Sequence, residues 1–401
     1  MITRDEVRRW DAADPLAPFR TRFALPEDVI YLDGNSLGAL PRQTAVRLKT
    51  VVEQEWGEGL IRSWNDRDWV SAPQRVGAKI ARLIGANEDE VVVADSTSVC
   101  LFKLLMAAGK ARGGAILAES DNFPTDAHVA ARAAELLGRE YRPTPRARIA
   151  DALGDDVAAA VLAHVDYRTA RRHDMATLNA TGVPIVWDLS HSVGAVPVDL
   201  KRDGAQLAVG CGYKFLNGGP GAPAFLYVAH DLQTRLASPI AGWWGHKTPF
   251  AFSCDFEPAP DIARFLSGTP AMLGLLALES GVDLMLESDA QARWDKSVRL
   301  HDLFASRIAA LCPELEHVTP DDPDERGSHI AFRHPHALGI VRALIEHGVI
   351  GDFRTPDIAR FGLTPLTLRY EHIYDATEII AEIMAKGAWR DSRFLSGGVV
   401  T

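Results

Sequence analysis

The stretch CGYKFLNGGPGAP, residues 211–223, places one lysine between an apolar run and a glycine-rich turn. The residues before it, AQLAVG (205–210), and after it, AFLYV (224–228), each have the length and apolar character of a buried strand. Lys214 is therefore expected at the mouth of a sheet. Because an isolated buried ammonium group is costly, it must reach water or find an ionic or covalent partner, such as a Schiff base.

A carboxylate that could act with this lysine lies upstream, in VPIVWDLSHSVG (183–194). An apolar strand ends there at Asp188, and His191 follows three residues later. Pyridoxal phosphate enzymes need a lysine to bind the cofactor and a carboxylate to keep its pyridine nitrogen protonated. Asp188 and Lys214 fit these roles at the carboxyl ends of strands, where open α/β sheets bind ligands. The alternative is a turn-capping aspartate and a surface lysine.

Two further segments could hold the rest of such a cofactor. EVVVADSTSV (90–99) runs from a strand through small polar residues into a helix, and free N–H groups with the hydroxyls of Thr97 and Ser98 could bind its phosphate. In NFPTD (122–126), Phe123 could stack on the pyridine ring and Asp126 could orient it. Ordinary helix caps explain both segments equally well.

Strand-like and helical segments alternate between residues 90 and 228, which predicts an α/β fold with a mostly parallel sheet of about seven strands. We expect three regions: an N-terminal arm and helix (1–60) that packs with a small domain, a large cofactor-binding domain (61–285), and a smaller C-terminal α/β domain (286–401).

Ligand contacts could come from four other places. The turn DGNSLG (33–38) contains Ser36, a tryptophan-rich segment contains Trp64, and GWWGH (242–246) contains Trp243, which is expected to face a pocket or a partner subunit. Arg360 lies beside a Gly and Pro turn, where a guanidinium could grip an α-carboxylate with two parallel hydrogen bonds. Loop packing explains the aromatic residues, and a surface position explains the arginine, without any ligand.

Composition excludes several classes of protein. The 401 residues carry a formal net charge of −10 with 47% hydrophobic residues, and no Lys/Arg cluster suggests nucleic acid binding. Four cysteines, with no CxxC pair, predict neither a disulfide framework nor a metal site. The N-terminus lacks an apolar leader and no apolar run is long enough to cross a membrane, so a cytoplasmic protein is expected.

Taken together, these motifs resemble the kynureninase family, pyridoxal phosphate hydrolases of the aspartate aminotransferase fold type (fold type I). The resemblance covers nearly the whole chain in the family's order and is most specific around Tyr213 and Lys214. It implies hydrolysis of L-kynurenine to anthranilate and L-alanine, with 3-hydroxykynurenine as a second candidate substrate, in tryptophan degradation or NAD biosynthesis. It also implies a homodimer with shared active sites.

The resemblance also implies roles for individual residues. Lys214, Tyr213 and Asp188 are implied in catalysis, although Tyr213 could instead serve only to bind phosphate. Two positions depart from the family pattern: Thr269 stands where members related to the animal enzymes have asparagine, and Ala163 where a small hydroxyl residue is common. These departures bear on the phosphate contacts from a neighbouring subunit and on the discrimination between kynurenine and 3-hydroxykynurenine. The residues implied in cofactor binding are Thr97, Ser98, Phe123, Asp126, Asp188, His191, Tyr213, Lys214, Trp243 and Thr269, and those implied in substrate binding are Ser36, Trp64 and Arg360.

Two alternatives stay open at this point. One is another fold-type I enzyme, such as a class V aminotransferase or a cysteine desulfurase. A desulfurase needs a mobile nucleophilic cysteine in a small-residue loop, and neither Cys254 nor Cys312 has that setting. The other is a non-catalytic cofactor-holding effector domain, which would normally accompany a DNA-binding module that this sequence does not contain.

Overall fold

The computed structural model describes residues 2–394. Its strands are β1 Phe23–Ala24, β2 Ile30–Tyr31, β3 Leu40–Pro41, β4 Val91–Ala94, β5 Ala115–Glu119, β6 Tyr141–Thr144, β7 Val157–Ala163, β8 Ile185–Asp188, β9 Leu207–Gly210, β10 Ala224–Val228, β11 Glu316–His317, β12 His329–Arg333, β13 Val349–Ile350, β14 Asp352–Arg354 and β15 Ile358–Gly362. Its α-helices are α1 Arg4–Ala12, α2 Arg42–Thr50, α3 Ser63–Asp66, α4 Ala72–Leu83, α5 Thr97–Ala111, α6 Pro124–Leu137, α7 Ile149–Ala152, α8 Met175–Asn179, α9 His230–Gln233, α10 Met272–Glu287, α11 Ala290–Leu311, α12 Ala337–Glu346 and α13 Tyr370–Lys386.

A seven-stranded sheet carries the predicted cofactor segments. Its strand order is β4-β10-β9-β8-β7-β5-β6, and β10 runs antiparallel to both of its neighbours while the other pairings are parallel. Strands β4, β5 and β7 to β10 are buried along their whole length, as expected for a sheet covered on both faces. The predicted mostly parallel α/β fold is therefore confirmed.

The segment after α2 departs from the sequence pattern. The apolar positions from about Arg42 to Leu60 predict one helix, but α2 ends at Thr50 and the chain continues as a π-helix over Val51–Gly59. Within that segment the carboxylate of buried Glu55 accepts hydrogen bonds from Arg47 and from the Trp69 indole, at 2.6 and 2.8 Å. π-Helical turns of this kind often occur at functional sites.

The C-terminal region forms a second core around an antiparallel sheet of order β11-β12-β15-β14. Helices α11, α12 and α13 pack against it, and Val7 and Leu32 from the N-terminal region are buried in the same cluster. Strand β2 pairs in parallel with β13, so Ile30 lies opposite Val349. The N-terminal turn is thereby fixed beside β14. The division at residues 60 and 285 stays a prediction.

Neither a membrane-crossing helix nor a metal site is present among residues 2–394. No helix there is both long enough and apolar enough to span a bilayer, and no three His, Cys, Asp or Glu side chains lie together as metal ligands would. Cys100, Cys211 and Cys312 are buried, whereas Cys254 is exposed.

Candidate active site

A cavity opens at the carboxyl ends of the parallel strands β4, β7 and β8. It is closed on one side by the segment that carries Lys214, which follows β9. This is the edge of the sheet where open α/β folds bind ligands. Eight of the predicted site residues line the cavity, namely Thr97, Ser98, Phe123, Asp126, Asp188, His191, Tyr213 and Lys214.

Lys214 lies within hydrogen-bonding distance of a buried histidine. Its Nζ is 2.9 Å from Nε2 of His191, and the same Nε2 is 3.2 Å from the carbonyl oxygen of Asn35. Burial, and then the nearby Lys214 ammonium, lower the pKa of His191 well below its ordinary value. Burial also lowers the pKa of Lys214. The imidazole is therefore neutral, and the lysine loses its proton more readily than one in water.

Two carboxyl groups, those of Asp126 and Asp188, meet at the floor of the cavity. Asp188 ends β8 and accepts a hydrogen bond from the Ser190 backbone N–H, at 2.8 Å. Burial, followed by repulsion from Asp188, raises the pKa of Asp126 well above its ordinary value. Asp126 therefore holds its proton to a higher pH than a carboxyl group in water does. The two carboxyl groups offer a cationic ring nitrogen acidic partners at the floor of the cavity.

Unpartnered polar atoms lie beside this pair. Oδ2 of Asp126 and Nδ2 of Asn122 are buried with no hydrogen-bond partner among the described residues. Buried polar atoms are normally paired, so these two call for a polar group that the polypeptide does not supply. Oxygen and nitrogen substituents on an aromatic ring bound in the cavity would satisfy them.

The opposite end of the cavity is suited to an anion. Helix α5 begins at Thr97, and the hydroxyl of its N-cap residue, Ser96, accepts a hydrogen bond from the Val99 N–H, at 3.4 Å. The first backbone N–H groups of this 15-residue helix, together with the hydroxyls of Thr97 and Ser98, are donors for a phosphate. Burial raises the pKa of the nearby Tyr213 hydroxyl, which therefore stays protonated.

Phe123 supplies an aromatic face at the cavity mouth. It precedes α6, and its side chain is 45% exposed although it lines the cavity. Its ring makes an edge contact with Tyr167, with the ring centroids 5.3 Å apart. An aromatic side chain left this open at a cavity is available to stack on a planar ligand.

Ser36 and Arg360 meet at a third residue, Asp352, which is fully buried. The Ser36 hydroxyl donates to Asp352 Oδ2 at 2.7 Å, and Arg360 Nε donates to Oδ1 at 2.8 Å. Arg354 Nη2 also donates to Oδ2, at 2.6 Å. Two guanidinium groups thus share one carboxylate, which leaves positive charge for a further anion. Burial and repulsion from Asp352 raise the pKa of the neighbouring Asp33 to about 7.

Arg354 was not selected from the sequence, although it lies in the same segment as Arg360. The two differ in exposure, because the side chain of Arg354 is 32% exposed and that of Arg360 only 1%. Both lower the pKa of Lys214, so both act on the cavity electrostatically. Arg354 and Arg360 are six residues apart, on the two strands of the β14–β15 hairpin, and both side chains reach Asp352. This spacing is the feature of the sequence that could have identified Arg354.

The turn at residues 33–38 joins this cluster to the lysine. The Gly38 N–H donates to the Tyr213 carbonyl at 2.8 Å, and a Cβ atom at Gly38 would lie 2.2 Å from the Lys214 carbonyl oxygen. Glycine is required there because the backbones approach so closely. The arginines and the lysine are thereby held at adjoining sites.

Comparison with known proteins identifies the family. The kynureninase of Burkholderia mallei (strain SAVP1) is 46% identical over 418 residues, covering 100% of both chains, and the kynureninase of Pseudomonas fluorescens is 43% identical over 410 residues, covering 98% of both. The chain belongs to the kynureninase family. The family model for the kynureninase C-terminal domain matches residues 294–380.

Solved structures share the fold of this kynureninase family member. The cysteine desulfurase of Thermococcus onnurineus NA1 has a TM-score of 0.78 at 17% identity, covering 92% of this chain and 98% of that one. The cystine C-S lyase C-DES, solved with its product cysteine persulfide, has a TM-score of 0.79 at 18% identity, covering 89% and 98%. At such identities the likeness concerns the fold alone, and it agrees with the predicted fold type.

Five residues that the kynureninase resemblance assigns to the site do not line the Lys214 cavity. Ser36 and Arg360 belong to the cluster around Asp352. Trp64 packs on Trp69 and Trp244, with centroids 5.6 and 5.1 Å apart. Trp243 is 38% exposed, and Thr269 is exposed. The assigned roles of these five residues stay predictions.

Proposed function

We propose that this chain hydrolyses L-kynurenine to anthranilate and L-alanine, with pyridoxal phosphate as its cofactor. The observation that carries the proposal is the meeting of Lys214, His191 and Asp188 in one cavity, in a chain 46% identical to a kynureninase over its full length. The reaction is balanced, because one water supplies the hydroxyl of the anthranilate carboxyl group and the hydrogen that completes the methyl group of alanine.

The residues present fit the cofactor. When bound, pyridoxal phosphate supplies an electron-accepting ring that stabilises negative charge developing on the substrate's carbon atoms. Asp188 would hold the proton on the ring nitrogen, and Asp126 would hydrogen-bond to a ring substituent. Phe123 would cover one face, and the first turn of α5 would hold the phosphate.

Lys214 would perform the proton transfers at the substrate's α-carbon. A base works best when its pKa lies near the working pH, and burial moves the pKa of Lys214 in that direction. Neutral His191, whose Nε2 is 2.9 Å from the lysine Nζ, would orient the amine through a hydrogen bond. Tyr213, which keeps its hydroxyl proton, would return a proton at the other end of the cavity or hold the phosphate.

The substrate's α-carboxylate would bind at the cluster formed by Ser36, Arg354 and Arg360. The positive charge left over around Asp352 supports this placement, as does the direct backbone link from the turn at residues 33–38 to Tyr213. A carboxylate bound there would be held beside Lys214.

Replacement of Arg360 with methionine is expected to raise KM about 10- to 100-fold with little change in kcat. The estimate corresponds to the loss of charged hydrogen bonds worth about 1.5–3 kcal/mol. Steady-state kinetics with L-kynurenine measure the effect, and Arg354→Met is the paired variant. A raised KM in Arg354→Met alone would transfer the carboxylate-binding role to Arg354, and an unchanged KM in both would place it elsewhere.

We also propose that two copies of the chain associate through an aromatic surface formed by Trp243, Phe250 and Phe252. These side chains are 38%, 53% and 73% exposed, and they contact one another with centroids 5.8 to 6.3 Å apart. Exposed aromatic clusters of this kind are typical of interfaces. A second copy seated on this surface would receive Trp243 and Thr269 at its own phosphate site.

A charge placed in this aromatic surface is expected to break the dimer. Phe252→Asp should convert the protein to a monomer in sedimentation velocity at micromolar concentration and should weaken cofactor binding. Leu136→Asp is the control, because Leu136 is 52% exposed on α6, away from the aromatic surface. A wild-type monomer, or a Phe252→Asp dimer, would contradict the proposed interface.

The activity itself is tested by adding L-kynurenine to the purified protein with pyridoxal phosphate and following anthranilate fluorescence. A parallel reaction with L-cysteine tests the desulfurase alternative by sulfide release. Anthranilate without sulfide is the expected result. Sulfide without anthranilate would reject the proposed function and direct attention to exposed Cys254.

A further inference from the structure

Lys103 is a fully buried lysine on α5, outside the cavity, and neither the catalytic proposal nor the substrate site uses it. Its Nζ lies 2.5 Å from Asp95 Oδ2 and 2.5 Å from the carbonyl oxygen of Phe265. These two partners belong to segments far apart in the sequence, on either side of the ammonium group.

The first partner shapes the phosphate-binding turn. Asp95 directly precedes Ser96, the N-cap of α5, and its φ of 42° lies in the left-handed region that non-glycine residues rarely adopt. The Asp95 carbonyl accepts a hydrogen bond from the Ala224 N–H at 3.0 Å, and its side chain is held by Lys103. Both contacts fix the direction in which the chain enters α5.

The second partner leads to the other assigned phosphate residues. Phe265 begins the stretch that reaches Thr269, and Ser267 in that stretch accepts a hydrogen bond from the Trp244 N–H at 3.1 Å. A Cβ atom at Gly242 would lie 2.3 Å from the Ser267 carbonyl oxygen, so the two segments are in close contact. One ammonium group thus touches the turn that leads to Thr97 and Ser98 and the segment that leads to Thr269, and the latter segment contacts the one that carries Trp243.

The ion pair by itself gives little reason for a cation in this position. The Lys103 side chain is fully buried and loses its hydration, whereas that of Asp95 stays 30% exposed, and such a pair is often no more stabilising than apolar side chains of the same volume. Such pairs are kept in some proteins because they fix one geometry among several. At Lys103 the geometry that would be fixed is the left-handed turn at Asp95 and the position of the Phe265 carbonyl.

We propose that Lys103 is a positioning residue for the cofactor's phosphate group. It holds the Asp95 turn so that the first N–H groups of α5 point at the phosphate, and it holds the 265–269 segment in register with that turn. The inference rests on the proposed function, since it presupposes pyridoxal phosphate in the cavity.

The test compares two ligands that differ only in the phosphate. Dissociation constants of pyridoxal phosphate and of pyridoxal are measured by absorbance for the wild type and for Lys103→Met, which keeps the chain length and removes the charge. We expect the constant for pyridoxal phosphate to rise at least about 10-fold, as for the loss of one charged hydrogen bond, and that for pyridoxal to stay within about 2-fold. A merely structural role would weaken both ligands equally.

Two further variants keep the test decisive. Lys296→Met removes another buried lysine, which pairs with Asp14 at 2.6 Å between α11 and the N-terminal arm, and it should leave the ratio of the two constants unchanged. Asp95→Asn changes the other partner, whose side chain is 30% exposed, and should shift the ratio in the same direction as Lys103→Met even if that variant fails to fold.

The outcomes separate this inference from the proposed function. Wild-type protein that binds neither ligand would reject the cofactor and with it the proposed function. Wild-type protein that binds pyridoxal phosphate tightly, with an unchanged ratio in both the Lys103 and Asp95 variants, would overturn only the role of Lys103.

Discussion

Lys214→Ala is expected to abolish anthranilate formation from L-kynurenine and to remove the visible absorption band of lysine-bound cofactor. The variant loses both the amine that binds the cofactor covalently and the base that moves the α-proton. Loss of acid–base catalysis alone costs about 10²- to 10⁴-fold, so the combined loss should bring turnover below detection. Absorbance and anthranilate fluorescence measure the two effects on the same sample.

The matched control is Lys201→Ala. Lys201 is exposed and donates to the Asn87 side chain at 2.8 Å, so its removal should leave both signals intact. Methylamine added to the Lys214 variant offers a second check, because a small amine can replace the missing base in part. Turnover by Lys214→Ala at a rate near that of the wild type would reject the assignment of this lysine.

Asp188→Asn is expected to lower kcat about 10²- to 10³-fold while the protein still binds the cofactor. Asparagine keeps an oxygen that can accept the hydrogen bond from the Ser190 N–H, so the loop after β8 should stay in place. What is lost is the negative charge that holds a proton on the ring nitrogen. Removal of one charge aimed at the developing transition state typically has an effect of this size.

The neighbouring carboxyl group makes this prediction sharper. Repulsion from Asp188 helps to raise the pKa of Asp126, so in Asp188→Asn that pKa should fall and the Asp126 carboxylate should take over part of the role. The double variant Asp188→Asn/Asp126→Asn should therefore be slower than Asp188→Asn, whereas Asp126→Asn alone should be affected less. Near-normal kcat in the double variant would show that neither carboxylate supports the ring nitrogen.

The sequence was sufficient to predict the sheet and the cavity at the carboxyl ends of its strands. Strands β8 and β9 are short apolar runs, and the candidate aspartate and lysine were identified from where those two runs end. Local patterns of this kind depend on neighbours within a few residues. For the same reason the first turn of α5 was recognisable from DSTS (95–98).

Contacts between residues far apart in the sequence could not be predicted from such local patterns. Arg354 becomes a candidate only when β14 and β15 place it with Arg360 on Asp352, and Lys103 only when α5 lies against Phe265, 162 residues away. Glu55, buried in the π-helix after Thr50, likewise has partners eight and fourteen residues away, Arg47 and Trp69.

The hydrogen bond from Ser36 to Asp352 spans 316 residues and has a consequence for biosynthesis. On the ribosome, every residue that lines the Lys214 cavity has emerged long before Asp352 is translated, since those residues lie between Ser96 and Lys214. A nascent chain can therefore complete the vitamin-binding cavity while the arginine cluster is still missing. The cluster proposed to bind the substrate's carboxylate forms last, when the segment that contains Asp352 packs against the N-terminal turn that contains Ser36.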